Sequence, residues 1–286
     1  MLSDDKAQLC MTFILTHLQH ATHPLIVGIN GLQGIGKTTL VTALSTALSA
    51  AAIPHATFSV DDFYLPRAAQ AALAANFPAN PLLQHRGEPG THAVPLLRRV
   101  LDDLRARRPT RVPRYDKAAF GGRGDRLPED QWTSVNRPGE EPVRVVLFEG
   151  WCVGFTAASD EEAAERHRDT STRTLCKHRL QDLLQINSFL KEYDAVTGCL
   201  DAFIHLDAKE TTWVYDWRLE QERELRAARG TGMTDEEVIR FVDGYYPAYE
   251  LYLPKLANGY LPTDGTQRNL RIVVDKHRSV LDVTTC

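Results

Sequence analysis

The sequence predicts an α/β fold, with a parallel sheet of about five strands, helices on both of its faces and a helical lid. Three observations predict it. Short β-rich runs alternate with helical patterns, the first run leads straight into a glycine-rich loop, and acidic residues follow two later runs. In an open parallel sheet such loops meet at one edge, outside the carboxyl ends of the strands.

The first predicted strand, 25–29, lies in Pro24-Leu25-Ile26-Val27-Gly28-Ile29-Asn30 and is followed by Gly31-Leu32-Gln33-Gly34-Ile35-Gly36-Lys37-Thr38-Thr39. This is the pattern G-x-x-x-x-G-K-[ST] between a strand and a predicted helix, 37–51, the context in which it binds phosphate. Its glycines let successive N–H groups turn toward a triphosphate, and the helix aims its positive end the same way. Gly31, Leu32, Gln33, Gly34, Ile35, Gly36, Lys37, Thr38 and Thr39 are therefore the predicted nucleotide-binding residues. Lys37 is expected on the β- and γ-phosphates and Thr38 on Mg²⁺.

The second strand, 56–60, ends at Asp61 and Asp62, and a helix is predicted over 95–107. Region 109–142, rich in Pro and Gly, is too long for a plain connection and reads as a substrate-side loop region. The third strand, 143–148, ends at Glu149. Segment 155–174 has the composition of a flexible surface insertion. Helix 177–192, strand 202–206, helices 213–229 and 235–253, and strand 270–274 complete the pattern. Helix 213–229 carries Arg218, Arg223, Arg226 and Arg229 ahead of Gly230-Thr231-Gly232. Residues 209–235 thus read as a lid that brings an arginine onto a transferring phosphate, with intrahelical Glu/Arg pairing as the alternative. All 286 residues are read as one domain.

Phosphoryl transfer needs a group that orients and deprotonates the attacking hydroxyl, a metal between the phosphates, and cations around the transferred group. Asp61 suits the base, and Glu149 suits a residue that holds Mg²⁺ or its waters. A helix cap is the alternative for Asp61 and Asp62. A structural charge at the strand end is the alternative for Glu149. Arg86 and His92 flank a Pro-Gly turn, where a cation could hold an anionic group of the acceptor. Pairing of Arg86 with Glu88, and a loop role for His92, stay open. Tyr115 and Lys117, with Arg114 and Asp116, form either the acceptor wall or a plain surface turn.

Composition sets limits. A hydrophobic share of 43% with 24% charged residues is ordinary for a globular chain, and no apolar run approaches the roughly 18 residues of a membrane-spanning helix. The net charge of -4 is not that of a nucleic-acid binder. The arginines from Arg98 to Arg114 read as a solvated face rather than an acidic-ligand surface. Five scattered cysteines form neither a disulfide framework nor a zinc pattern, and the acidic start does not resemble a targeting segment, so a cytoplasmic location is expected. Whether the chain is a monomer or a homodimer is not encoded in any of these features.

Ser59-Val60-Asp61-Asp62-Phe63-Tyr64 resembles the S-x-D-x-F-Y segment of the P-loop kinases related to uridine kinase, phosphoribulokinase and pantothenate kinase. Val145 to Gly150 resembles their V-V-L-F-E-G strand, and Tyr246-Pro247-Ala248-Tyr249-Glu250 the helix after their lid. Within that group the match is closer to D-glycerate 3-kinase and its fungal kinase relatives. Asn80 to Gln84, Arg86-Gly87-Glu88-Pro89-Gly90-Thr91-His92, Pro113 to Lys117, Glu149-Gly150-Trp151-Cys152-Val153-Gly154-Phe155 and Trp217 to Glu222 carry it.

The resemblance implies the P-loop NTPase fold, ATP and Mg²⁺ as cofactors, and Asp61 as the base. It sets Tyr64 and Trp151 beside Asp61, Arg86, His92, Tyr115 and Lys117 on the acceptor side, and it favours Arg223 or Arg229 as the lid arginine. Glu149 stands where many P-loop proteins carry Asp. The expected activity is transfer of the γ-phosphate of ATP to a hydroxyl of a small anionic metabolite, D-glycerate. A nucleoside, a pantothenate-like compound or a sugar acid is the alternative acceptor. Neither N-K-x-D nor D-x-x-G occurs, which argues against a GTP switch, and a weakly catalytic nucleotide-binding regulator is the remaining non-enzymatic reading.

Overall fold

A computed structural model describes residues 2–230, 232–257, 259–261 and 267–286. In chain order the elements begin α1 (Leu2–Leu18), β1 (Leu25–Gly31), α2 (Lys37–Ala50), β2 (His55–Ser59), α3 (Arg67–Asn76) and α4 (Val94–Arg105). Four short strands follow, β3 (Thr110–Val112), β4 (Tyr115–Asp116), β5 (Asp125–Arg126) and β6 (Thr133–Val135). Next come β7 (Val145–Gly150), α5 (Asp160–Arg168), α6 (Leu180–Leu190), α7 (Asp194–Thr197) and β8 (Ala202–Ala208). The chain closes with α8 (Trp213–Arg229), α9 (Asp235–Asp243), α10 (Tyr246–Leu256), β9 (Asn269–Val274) and β10 (Val280–Thr285).

The main sheet runs β10-β9-β8-β1-β7-β2. Its five expected strands are parallel, and β10 adds an antiparallel edge that the sequence reading lacked. β10 escaped notice because it is mostly exposed and carries no continuous apolar run. β1 is buried at every position, as a central parallel strand covered on both faces must be, and that burial explains its apolar run Leu25–Ile29, while the buried Asn30 amide donates to the Trp151 and Val153 carbonyls. The register sets Ser59 opposite Glu149 and Glu149 opposite Ile29, so the ends of β2, β7 and β1 finish level. This shared edge positions the site.

Several expected boundaries move. α1 was not anticipated; Cys10, Phe13, Ile14 and Leu18 bury themselves in the core, while Leu9 and Leu15 on the same helix stay exposed and blur its pattern. The predicted helix 235–253 is two helices, α9 and α10, divided at Gly244 and Tyr245. The predicted helix 177–192 begins at Leu180 and tightens into a 3-10 turn at Lys191–Tyr193. Segment 155–174 is not featureless. Phe155 and Thr174 anchor its ends in the interior, and α5 between them is N-capped by Ser159. Region 109–142 folds as two ribbons, β3 with β6 and β4 with β5. No helix among the described residues is long and apolar enough to cross a membrane.

Candidate active site

The loop between β1 and α2 is built from backbone. Gly36 caps α2 with φ 107° and ψ 18°, a left-handed conformation that a side chain would strain. Gly34 has φ 81°, and a Cβ there would lie 2.6 Å from the Trp217 Cβ, so its glycine admits α8 against the loop. Leu32 and Ile35 turn their side chains into the core and offer only main-chain groups outward. The Lys37 ammonium donates to the carbonyls of Gly31 at 2.8 Å and Leu32 at 3.1 Å. Burial pushes its pKa down, and the charges of Glu149 and Asp61 oppose that shift. Both carboxylates therefore act on the lysine of the loop.

The two adjacent aspartates divide their work. Ser59 starts a 3-10 turn, Val60–Phe63, as a capping box: its hydroxyl accepts from the Asp61 N–H at 3.2 Å, and the Asp62 carboxylate accepts from the Ser59 N–H at 3.0 Å. The cap role belongs to Asp62, which leaves the Asp61 side chain free of it. Asp61 forms an ion pair with Lys117. Burial works to raise its pKa, but the charge and hydrogen bond of Lys117, with the Tyr64 hydroxyl donating as well, hold it below the usual carboxylate range. Glu149 moves the other way: burial raises it, Lys37 opposes, and Asp61 adds to the rise.

Thr38, Ser59, Asp62, Arg114 and Glu149 line one cavity of about 190 Å³. It gathers hydroxyl and carboxylate oxygens, the hard donors that suit Mg²⁺. A larger cavity, about 410 Å³, follows the outer edge of β2 past Ser45, His55 and β6, and of the predicted site residues it touches Arg114 alone.

Among the residues expected on the acceptor side, Tyr64 stacks on His92 with ring centroids 4.4 Å apart and meets Tyr115 edge-on at 5.3 Å. His92 is buried, shares a hydrogen bond of 2.6 Å between Nδ1 and the Tyr193 hydroxyl, and is pushed down to about 4 by burial, so it is neutral. A cationic His92 is thereby corrected. Arg86 does not pair with Glu88: its guanidinium donates to the carbonyls of Gly122, Arg123 and Lys117 and lies 5.5 Å from the Tyr115 ring. Arg86 thus ties down the β4–β5 arm that carries Lys117. Trp151 is buried and meets Tyr245 edge-on at 5.1 Å and Tyr249 at 5.6 Å.

No family model matches the chain. It is 41% identical over 257 residues to an uncharacterised kinase, mug58, of Schizosaccharomyces pombe, covering 89% of each protein. It is 37% identical to a chloroplastic D-glycerate 3-kinase of Arabidopsis thaliana, over 90% of this chain and 54% of that longer protein. Among solved structures, a D-glycerate 3-kinase from Cryptococcus neoformans superposes with a TM-score of 0.89 at 31% identity, covering 98% of this chain and 99% of that one. The chain belongs to the D-glycerate 3-kinase family of ATP-dependent kinases.

Within this kinase, Lys37, Asp61, Glu149, Tyr64, His92, Tyr115 and Lys117 join through contacts or mutual electrostatics at the shared strand edge. Arg223 does not join them. It is 60% exposed and its guanidinium is paired with Asp235 at 2.6 Å, beside Arg226 on the same carboxylate. The side chain of Arg229 lies outside the described residues.

Other side chains brace the phosphate loop and the turn after β2. Arg278 donates to the Gly34 carbonyl at 2.9 Å, and the Tyr249 hydroxyl accepts from the Gln33 N–H at 3.4 Å. Arg126 donates to the carbonyls of Phe63 and Tyr64, fixing the turn that presents Asp61. Tyr249 sat in a motif already noted for resemblance. Arg278 had no signal, since it acts through a backbone carbonyl far away in sequence.

Proposed function

We propose that this kinase is a D-glycerate 3-kinase, which transfers the γ-phosphate of ATP to the 3-hydroxyl of D-glycerate. The observation that carries the chemistry is Asp61, kept ionised at the end of β2 while its charge acts on the phosphate-loop Lys37. An ionised carboxylate can accept the proton of an attacking hydroxyl, and a lysine beside it can neutralise charge that builds on the phosphates. The choice of acceptor is supported by the relatives.

Mg²⁺ belongs to the same reading, held by Thr38 and Glu149 with phosphate and water oxygens; when bound, it neutralises charge between the β- and γ-phosphates. Gly31 to Thr39 wrap the phosphates with main-chain N–H groups, and Lys117 keeps Asp61 in its basic form. Tyr64, His92, Tyr115 and Trp151 wall the acceptor with rings and exclude water. Arg86 supports that wall from behind. The whole chain is read as one kinase domain, with 109–142 on the acceptor side and 209–235 closing over the phosphate loop, where Trp217 already abuts Gly34. A cytoplasmic location completes the proposal, supported by Cys10, Cys152, Cys176 and Cys199, which are free thiols.

Acceptor-dependent ADP release tests it. D-glycerate should stimulate release in the presence of ATP and Mg²⁺, and uridine and pantothenate should not. Stimulation by uridine without stimulation by D-glycerate would overturn the assignment.

A further inference from the structure

The loop 86–92 sends its side chains in different directions. Gly87 has φ 147°, with room for a Cβ denied by the Tyr245 hydroxyl at 2.3 Å; Gly90 has φ 97° and would strike Phe189 at 2.6 Å. The loop is therefore wedged between the start of α10 and α6. Thr91 closes it, its hydroxyl accepting from the Gly87 N–H at 2.9 Å and donating to the Glu88 carbonyl at 2.7 Å. Arg86 points outward to the β4–β5 arm, and His92 reaches Tyr64 and Tyr193. Glu88 turns inward. It is 4% exposed, and neither carboxyl oxygen has a hydrogen-bond partner among the described residues.

Its surroundings coincide with the acceptor side of the site. The Glu88 carboxyl acts on Cys152, Tyr193, Tyr245, Tyr249 and Tyr252, and Asp61 acts on two of the same groups, Cys152 and Tyr245. Two buried donors of this neighbourhood, Trp151 Nε1 and the Tyr252 hydroxyl, are likewise unpartnered. Buried polar groups without partners are rare in folded proteins, and several gathered beside a catalytic carboxylate are groups a polar ligand can satisfy. Most cations of this region already have partners, and Arg114, which lines the cavity beside Asp62 and Glu149, is exposed. Lys117 holds Asp61, Lys37 holds the loop carbonyls, and Arg86 and Arg126 hold backbone carbonyls.

We propose that Glu88 is an acceptor-binding, specificity-determining residue, whose carboxyl group hydrogen-bonds the carboxylate of the acceptor while Asp61 faces the hydroxyl to be phosphorylated. This rests on the reading of the acceptor as D-glycerate. For Glu88 to donate, it must be the neutral acid, and burial with no opposing cation pushes its pKa well above the usual carboxylate range. A carboxylic acid kept neutral in an apolar site can donate a hydrogen bond to an oxyanion. Facing it, burial raises Cys152, Tyr193, Tyr245, Tyr249 and Tyr252 as well, so these stay neutral, and Asp61 is the anion shared with this group. Raising the pH ionises Glu88 and turns the donor into a charge that repels a carboxylate.

Steady-state kinetics of the full chain with D-glycerate, for wild type, Glu88→Gln and Glu88→Ala between about pH 6 and about pH 9, test the proposal. Wild-type KM for D-glycerate should rise on the alkaline side. Glu88→Gln keeps a neutral donor, so its KM should stay within about threefold of wild type with the alkaline rise gone. Glu88→Ala should raise that KM about 10- to 100-fold with kcat and the KM for ATP little changed. Should the alanine variant fail to fold, the pH profile of Glu88→Gln decides alone. An alkaline rise that persists in Glu88→Gln, or an unchanged KM in Glu88→Ala, overturns the role of Glu88 and leaves the acceptor assignment standing. Absence of D-glycerate-dependent ADP release in wild type overturns both.

Discussion

The phosphate loop and the proposed acceptor wall are neighbours at one sheet edge, yet they are made in opposite ways. The loop is a single stretch, Gly31 to Thr39, that leaves mainly main-chain groups to face a ligand, since Leu32 and Ile35 bury their side chains. The wall consists of side chains, and they come from the turn after β2, the loop 86–92, the β4–β5 arm, the end of β7 and α10. A backbone-built site depends on local conformation and tolerates the surrounding fold. A site built from side chains depends on every element that aims them. The donor half is thus carried by a motif, and the acceptor half by packing.

Mutations can break that contrast at different points. The largest effect is expected for Asp61→Asn, which removes the base: kcat should fall about 10²- to 10⁴-fold while nucleotide binding, measured by calorimetry, survives. Unchanged turnover would remove Asp61 from that role. Next comes Gly87→Ala. The added Cβ meets Tyr245 in a left-handed backbone, so stability should drop by about 1–3 kcal/mol in thermal or denaturant unfolding. The KM for the acceptor should suffer more than that for ATP, and equal losses on both sides would show that the loop 86–92 serves the two halves of the site alike.

Lys117→Met gives a smaller and more diagnostic change. Lys117 holds the Asp61 pKa low, so its removal lets that pKa rise and moves the acid limb of the kcat/KM profile to higher pH. Activity should be lost most at acidic pH and recover as the pH increases; an unmoved limb would show that the ion pair does not govern the base. The smallest effect is expected for Arg223→Ala. Its partner Asp235 also holds Arg226, so kcat and the melting temperature should both stay close to wild type. A large loss of kcat would place α8 among the catalytic elements.

Much of the fold was legible because local chemistry writes it. β1 is apolar up to Asn30 because both its faces are covered, and β7 behaves the same way up to Glu149 near its end. α1 and β10 were not legible, because neither separates an apolar face from a polar one cleanly. In the site, Asp61, Glu149 and Lys37 could be read from their positions at strand ends. The distinction between Asp61 and Asp62 could not, since it depends on which carboxylate closes back on the Ser59 N–H. The orientation of Arg86 was equally hidden: carbonyls on the β4–β5 arm capture it in place of the adjacent Glu88.

The sequence by itself determined the α/β class, the phosphate loop and the acidic strand ends, because hydrogen bonding within a few residues and the period of apolar positions fix those features. Only the tertiary structure decided that His92 is neutral, that Arg223 faces Asp235, and that Glu88 is buried without a hydrogen-bond partner among the described residues. Burial and the identity of the facing group set these states. Both arise when segments far apart in the chain pack against one another.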